Sequence, residues 1–185
     1  LLTKRIDENG YETSGGDFLD WPSNANKPAM KTGTQALMMM AIKAGSELCS
    51  HLGEDTMASR CEERYAKMEK VAPKIVEQYF LEAKHPTAPG SKQAAALMAL
   101  AGILDAEKAN AEVLSIEGAR GFSTFYGYYM LQAMAKAGNY EGAMQVIRDF
   151  WGGMLDMGAT SFWEDFNIDW LPNAAPIDEL VPEGK

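Results

Sequence analysis

The chain has 185 residues, of which 46% are hydrophobic and 23% are charged, as is typical of one globular domain with its own core. It carries 17 Lys and Arg against 26 Asp and Glu, and the net charge of −9 disfavours nucleic acid as a partner. No apolar run approaches the roughly 18 residues that a membrane helix needs, so we expect no membrane partner either.

The two ends of the sequence indicate a piece of a longer protein. The chain starts at Leu1 without an initiator methionine or a signal peptide, and it stops at Lys185 soon after a proline-rich segment. We expect one partial domain over residues 1–185, with an irregular opening segment at 1–31 and an irregular tail at 171–185.

Cysteine and histidine give no sign of a bound ion. Cys49 and Cys61 fall within predicted helices without the spacing of a zinc site, and two buried free thiols are favoured over a disulfide. His51 and His85 occupy polar stretches that contain no matching ligands. We therefore expect no metal and no cofactor.

The first part of the chain changes from irregular to helical. Residues 1–31 are rich in Gly, Asn, Asp and Pro, and Asn9-Gly10 is typical of a tight hairpin turn. From 34 to 52 apolar residues recur every three or four positions, which predicts an amphipathic helix. A second helix is predicted over 57–81, where Pro73 should kink or split it.

Small and hydroxyl-bearing residues predict where these helices end and begin. Gly53 is expected to end the first helix, and Asp55 or Thr56 to cap the second. A third helix, of small residues, is predicted over 91–104 with Ser91 as its cap.

Three further helical stretches follow. A short helix is predicted to begin in "DAEKANAEVL". Ser123 or Thr124 is then expected to cap a helix that Gly138 ends. The last helix is predicted within "NYEGAMQVIRDFWGGMLDM".

The predicted elements form helix pairs joined by short loops, with few strand signals. Each pair spans roughly 40 to 50 residues, as in arrays of helical hairpins. Because no strict sequence repeat is present, a closed or partly closed ring of hairpins fits better than a regular solenoid. The predicted fold class is all-α.

Two loop-rich segments place carboxylates beside aromatic side chains. "GDFLDWPSN" contains Asp17, Asp20 and Trp21, and "FWEDFNIDW" contains Trp163 and Glu164. Small-ligand pockets combine apolar walls with a few polar groups, an arrangement that suits the apolar faces and polar rims of sugars. Glycoside hydrolysis also needs two carboxyl groups across the scissile bond. Such segments are nevertheless more often loops that cap or pack a helical core.

The stretch "GATSFWE" at 158–164 resembles the Gly-Ala-Thr-Thr-(aromatic or aliphatic)-Trp-Glu signature of the α-L-rhamnosidases of glycoside hydrolase family 78. It differs at Ser161, where the signature has a second Thr. "GGDFLDWP" is similar to a Gly-Asp-Trp-Leu-type segment upstream in that family. "GARGFSTFYGYYMLQAMAKAGNYEGAMQVI" resembles the helical region before the signature. Order and spacing agree from about residue 10 to residue 170.

The resemblance implies a fold, a reaction and a set of site residues. The family's catalytic domain is an (α/α)6 barrel, and its members release terminal L-rhamnose with inversion of configuration. Glu164 would be the general base that activates water, and Trp163 would line the sugar site. The remaining substrate-binding residues would come from two other segments: Asp17, Asp20, Trp21, Phe125 and Tyr126. The implied partner is an L-rhamnose-containing glycoside, and the implied compartment is periplasmic or extracellular.

One departure from the family pattern concerns the second catalytic carboxyl group. The family's general acid lies in an upstream Asp-Glu-Arg-type motif, which has no counterpart here. We expect the last helices of the barrel to lie beyond Lys185 as well. We therefore expect part of a barrel that is inactive in isolation and needs the rest of its parent chain. An open ring should expose apolar helix faces, through which the fragment would associate with itself.

Two alternatives stay open. The chain could be a non-catalytic helical module that binds carbohydrate or protein. It could also belong to an (α/α)6 glycosidase of another sugar specificity, since no single residue recognises a 6-methyl sugar. A helical-repeat scaffold for protein partners is disfavoured, because its surface would not need a Gly-Ala-Thr turn that presents Trp163 and Glu164.

Overall fold

The computed structural model describes residues 2–13, 18–21, 25–83, 85–86 and 88–174. Within these ranges all regular structure is helical, apart from one isolated antiparallel bridge between Ile6 and Glu12. The six α-helices are α1 (Lys27–His51), α2 (Asp55–Glu82), α3 (Ser91–Ala101), α4 (Ala106–Ala109), α5 (Gly127–Lys136) and α6 (Tyr140–Asp156). A π-helical turn at Asn110–Leu114 continues α4, and 3₁₀ turns lie at Leu2–Arg5 and Ile168–Asn173.

The helices alternate between two rows. Helix α3 packs against both α1 and α5, so the odd-numbered helices form one continuous row. Each even-numbered helix packs against the odd-numbered helix before it, and α4 also contacts α5. This alternation of inner and outer helices confirms the predicted all-α hairpin architecture. No helix of the described ranges combines the length and the apolar composition needed to cross a bilayer.

Helix α3 lies at the centre of the core. Every residue from Ser91 to Ala99 is buried, and the main hydrophobic cluster includes six consecutive residues of this helix. The small side chains of α3 allow α1 to pack closely against it. The two helices approach closely at Gly33 of α1, opposite Ala94 of α3. A Cβ atom at Gly33 would lie 3.4 Å from the Cα atom of Ala94 and 2.5 Å from a methyl carbon of Leu19. The glycine is therefore needed where α1, α3 and the segment before α1 meet.

A lysine is fully buried in this central helix. The Nζ atom of Lys92 donates hydrogen bonds to the carbonyl oxygens of Ile116 at 2.8 Å and Gly118 at 2.7 Å. It also lies 5.1 Å from the centre of the Phe122 ring. Burial lowers the pKa of Lys92 to about 8. These contacts fasten the loop that leads from the π-helical turn towards α5.

The opening segment forms the turn expected at Asn9-Gly10. The Oδ1 atom of Asp7 accepts hydrogen bonds from the backbone N–H groups of Asn9 (2.9 Å) and Tyr11 (2.8 Å). Gly10 has a φ angle of 99°, at which the backbone of a residue with a side chain would be strained. The expectation that 1–31 is wholly irregular is wrong at its end, because α1 begins at Lys27.

Most of the predicted helix caps are wrong in detail. Helix α2 is preceded by Glu54, whose side chain makes no capping hydrogen bond. Gly90, with a left-handed backbone, precedes α3, and Ser91 is instead buried against the hydroxyl of Tyr79 at 3.0 Å. Neither Ser123 nor Thr124 caps α5, because both hydroxyls bind elsewhere.

Pro73 does not split its helix. The prediction allowed a kink or a split, and α2 runs continuously from Asp55 to Glu82. Pro73 lies on the exposed side of α2, where a backbone carbonyl that loses its helical partner can bind water. The cysteines agree with the favoured reading of free thiols, with Cys61 buried and Cys49 partly buried.

Lys92 predicts a specific dependence of stability on pH. An unfolded lysine titrates at about 10.4, so between about pH 8 and 10 the folded chain has lost a proton that the unfolded chain keeps. Unfolding then takes up a proton, and rising pH increases the free energy of unfolding. The neutral amine retains two N–H groups, enough for both carbonyl oxygens. We expect Lys92→Met to abolish this increase.

Urea unfolding of both proteins at about pH 7.5 and about pH 9.5 measures the effect. From the lower to the higher pH, the free energy of unfolding of wild type should rise by about 1–2 kcal/mol relative to that of Lys92→Met. Lys136 also donates to a backbone carbonyl, that of Ala99 at 2.8 Å, but it is exposed. Lys136→Met is therefore a matched control that should keep the increase. Identical pH responses in wild type and Lys92→Met would contradict the prediction.

Candidate active site

The segment that contains the signature stretch is anchored at both ends. Gly158, with a φ angle of 85°, follows α6, and the next residue, Ala159, is buried. Phe166 is buried at the other end, where its ring packs edge-on against Phe150 of α6 at 5.1 Å. The residues between these two anchors lie mostly at the surface, and Glu164 is exposed among them.

A hydroxyl group fixes the middle of this segment. Thr124, in the loop before α5, donates a hydrogen bond of 2.6 Å to the carbonyl oxygen of Trp163. The indole ring of Trp163 is partly buried and packs on Phe166 at 5.8 Å. The backbone on the N-terminal side of Glu164 is thus held by the loop before α5 and by the core.

The second predicted motif centres on a buried carboxylate. Asp20 is 7% exposed, and Ser123 donates a short hydrogen bond to its Oδ2 atom. Gln93 of α3 donates to the same oxygen at 3.3 Å, and the backbone N–H of Trp21 donates to Oδ1 at 2.9 Å. A buried carboxylate is costly unless it is well hydrogen-bonded. The donors from α3 and from the loop before α5 therefore tie Asp20, and with it Trp21, to the helical core.

The two motifs meet through one hydrogen bond. The indole N–H of Trp21 donates to the Oε1 atom of Glu164 at 3.1 Å, across 143 positions of sequence. The contact orients the carboxylate and leaves its Oε2 atom without a hydrogen-bond partner in the described ranges. The structure thus brings together Asp20, Trp21, Trp163 and Glu164 of the predicted site residues, at the N-terminal ends of α3 and α5.

An aromatic groove lies beside Glu164. It has a volume of about 470 Å³ and is lined by five residues: Thr124, Phe125, Tyr128, Tyr129 and Glu164. Phe125 and Tyr128 are 69% and 60% exposed, so their rings present apolar surface to solvent. Aromatic walls with one carboxylate match the apolar faces and polar rim of a sugar ring.

The remaining predicted site residues fall in different places. Phe125 lines the groove, whereas Tyr126 is buried in the core, where burial raises the pKa of its phenol to about 12. This burial argues against stacking of Tyr126 on a sugar. Asp17 lies outside the described residues. Sequence reasoning missed Tyr128 and Tyr129, although both lie in the first turn of α5, three and four positions after Phe125.

The described residues include no group of three or more His, Cys, Asp or Glu side chains arranged to hold a metal ion. The described part of the site offers an exposed carboxylate, an indole N–H and aromatic surfaces.

The fold is an array of helical hairpins, and its candidate site is a carboxylate beside an aromatic groove. The model of the bacterial α-L-rhamnosidase six-hairpin glycosidase domain matches residues 2–177, and the chain belongs to this family. Comparison with curated proteins and with solved structures gave no significant match.

The Asp20 network predicts a large loss of stability on a small change. In Asp20→Asn, one carboxylate oxygen is replaced by an NH₂ group. That group cannot accept a hydrogen bond and would face a donor, either the N–H of Trp21 or the side chains of Gln93 and Ser123. We expect the free energy of unfolding to fall by about 2–3 kcal/mol. Asp169→Asn is the control, since Asp169 is exposed and pairs with Arg120 at 2.8 Å. Its loss should stay below about 1 kcal/mol.

Urea unfolding followed by circular dichroism compares the two variants. Equal losses in Asp20→Asn and Asp169→Asn would contradict the prediction that the buried carboxylate contributes more to stability than an exposed one.

Proposed function

We propose that this chain supplies the general base and one wall of the sugar pocket in an inverting α-L-rhamnosidase. The observation that supports the proposal is the hydrogen bond from Trp21 to Oε1 of Glu164 at the edge of the aromatic groove. It leaves Oε2 available to a water molecule. The family shown by the sequence comparison is a family of glycosidases, which agrees with hydrolysis at this position.

The proposed reaction is a single displacement. Glu164 accepts a proton from water as the water oxygen attacks the anomeric carbon, and the leaving group departs from the opposite face of the sugar. The carboxyl group that protonates the leaving oxygen lies about 6.5–9.5 Å from the base in inverting enzymes. We propose that this acid comes from another part of the parent chain, because the sequence contains no Asp-Glu-Arg-type motif like the one that carries the acid in the family it resembles.

The groove also supports the choice of sugar. L-Rhamnose carries a methyl group where most hexoses carry a hydroxymethyl group. Phe125 and Tyr128 offer exposed aromatic surface to such a methyl group, and an additional hydroxyl there would lose hydrogen bonds to water. We therefore propose a 6-deoxy sugar as the group released.

Replacing Glu164 tests the proposed base. In the full-length protein, Glu164→Gln should lower kcat for an aryl α-L-rhamnoside by about 10²–10⁴-fold, because the amide cannot accept the proton from water. Glu77→Gln makes the same change on the exposed side of α2 and should leave kcat unchanged. Equal rates for wild type and Glu164→Gln, with folding intact, would make Glu164 structural.

A second candidate function is a carbohydrate-binding module without catalysis. The observation in its favour is the single carboxylate in the groove, where hydrolysis needs two. The two functions differ in one result: a binding module would bind rhamnosides in calorimetry while the full-length protein released no rhamnose.

We also propose that the 185-residue chain associates with itself through α6. Exposed apolar residues recur along one side of this helix: Tyr140, Met144, Ile147 and Leu155. Such a stripe on a helix surface is typical of a face that packs against another element.

Sedimentation equilibrium measures this association. We expect the wild-type chain to form dimers or larger species at about 50 µM, an affinity accessible to a modest apolar interface. The Ile147→Glu variant should sediment as a monomer. Gln145→Glu adds the same charge on a polar side of α6 and should still associate. A compact wild-type monomer would contradict the proposal.

A further inference from the structure

A second cavity is lined by Trp21, the residue that donates its indole hydrogen bond to Glu164. We call it the tryptophan cavity; it has a volume of about 270 Å³. The residues that matter here are Trp21, Arg120, Asp165, Asn167 and Trp170, all of which line it. The volume is just below the range of about 300–1,000 Å³ typical of small-ligand pockets. It therefore suits one sugar ring better than a longer ligand.

Two tryptophans expose apolar surface at this cavity. Trp21 is 60% exposed and Trp170 is 49% exposed. Trp170 is held in place by Phe166, against which its ring packs edge-on at 6.3 Å. Exposing the apolar surface of two indole rings to water is unfavourable. Two anchored rings in a concave site therefore suit a ligand with apolar faces.

The charges in the cavity favour a neutral ligand. The guanidinium of Arg120 is already paired, with Asp169 at 2.8 Å and with Glu117 at 3.2 Å. The carboxylate of Asp165 makes no hydrogen bond or ion pair within the described part of the chain. An unpaired carboxylate accepts hydrogen bonds from hydroxyl groups and repels carboxylates and phosphates.

The tryptophan cavity adjoins the proposed reaction site. Trp21 lines the cavity and donates its indole hydrogen bond to Glu164, so one side chain belongs to both. Asp165 follows Glu164 directly in the chain. A sugar ring in the cavity is therefore a neighbour of the ring whose bond is broken.

We propose that the tryptophan cavity is a second sugar subsite, which binds a neutral sugar unit linked to the one that is released. This inference rests on the proposed glycosidase function and names its substrate class: neutral oligosaccharides or polysaccharides that carry rhamnose. Small aryl rhamnosides and uronic-acid polymers would leave the subsite empty or would be repelled by Asp165.

Kinetics on two substrates test the subsite. The full-length protein is assayed with an aryl α-L-rhamnoside and with a neutral rhamnose-containing trisaccharide. Trp170→Ala should lower kcat/KM for the trisaccharide by about tenfold and leave the aryl rhamnoside within about twofold. Trp170→Phe keeps an aromatic face and should retain most of the trisaccharide activity. Asp165→Asn removes the charge and provides a second variant if Trp170→Ala fails to fold.

Calorimetry separates failure of the subsite from failure of the proposed function. Glu164→Gln protein is titrated with the trisaccharide, alone and combined with Trp170→Ala. Weaker binding in the combined variant supports the subsite whether or not rhamnose is ever released. Equal losses on both substrates in Trp170→Ala, or equal binding with and without Trp170, would overturn the subsite. In either case the aryl rhamnoside activity of wild type reports on the proposed function by itself.

Discussion

A buried carboxylate at the N-terminal ends of the inner helices holds the candidate site together. Asp20 is buried and accepts hydrogen bonds from α3, from the loop before α5 and from the backbone of Trp21, and a buried carboxylate needs such donors. The arrangement of donors leaves little freedom for the segment 18–21. The indole of Trp21 therefore points at Glu164, and the geometry of the exposed carboxylate depends on a buried one.

The same constraint explains why a site formed by loops can be well defined. Loops are usually the more mobile parts of a protein. Here the segment around Glu164 is fastened by Thr124, by the buried Ala159 and Phe166, and by Trp21. The contacts of Thr124 and Trp21 join residues 39 and 143 positions apart in the sequence, so helix packing sets the distance between the motifs.

Much of the fold could be predicted from the sequence, because helical periodicity is a local property. The long helices α1 and α2 fall where apolar residues recur every three or four positions, and the signature stretch predicted Glu164 and Trp163 as site residues. The boundaries were less predictable. Ser123 has the side chain of a helix cap but donates to Asp20, 103 positions away. Nothing in its neighbours reveals that competing partner, and the same holds for the contact between Trp21 and Glu164.

The two carbonyl hydrogen bonds of Lys92 have a consequence for how this protein can vary. Both hydrogen bonds of Lys92 go to backbone carbonyl oxygens, those of Ile116 and Gly118, and therefore do not depend on the side chains at these positions. Side chains at 116 can therefore be exchanged over evolutionary time without loss of the anchor. Positions 117 and 118 are more restricted. Glu117 and Gly118 have φ angles of 55° and 57°, which favour residues that tolerate a left-handed backbone. Among relatives, the shape of this loop should persist longer than its sequence.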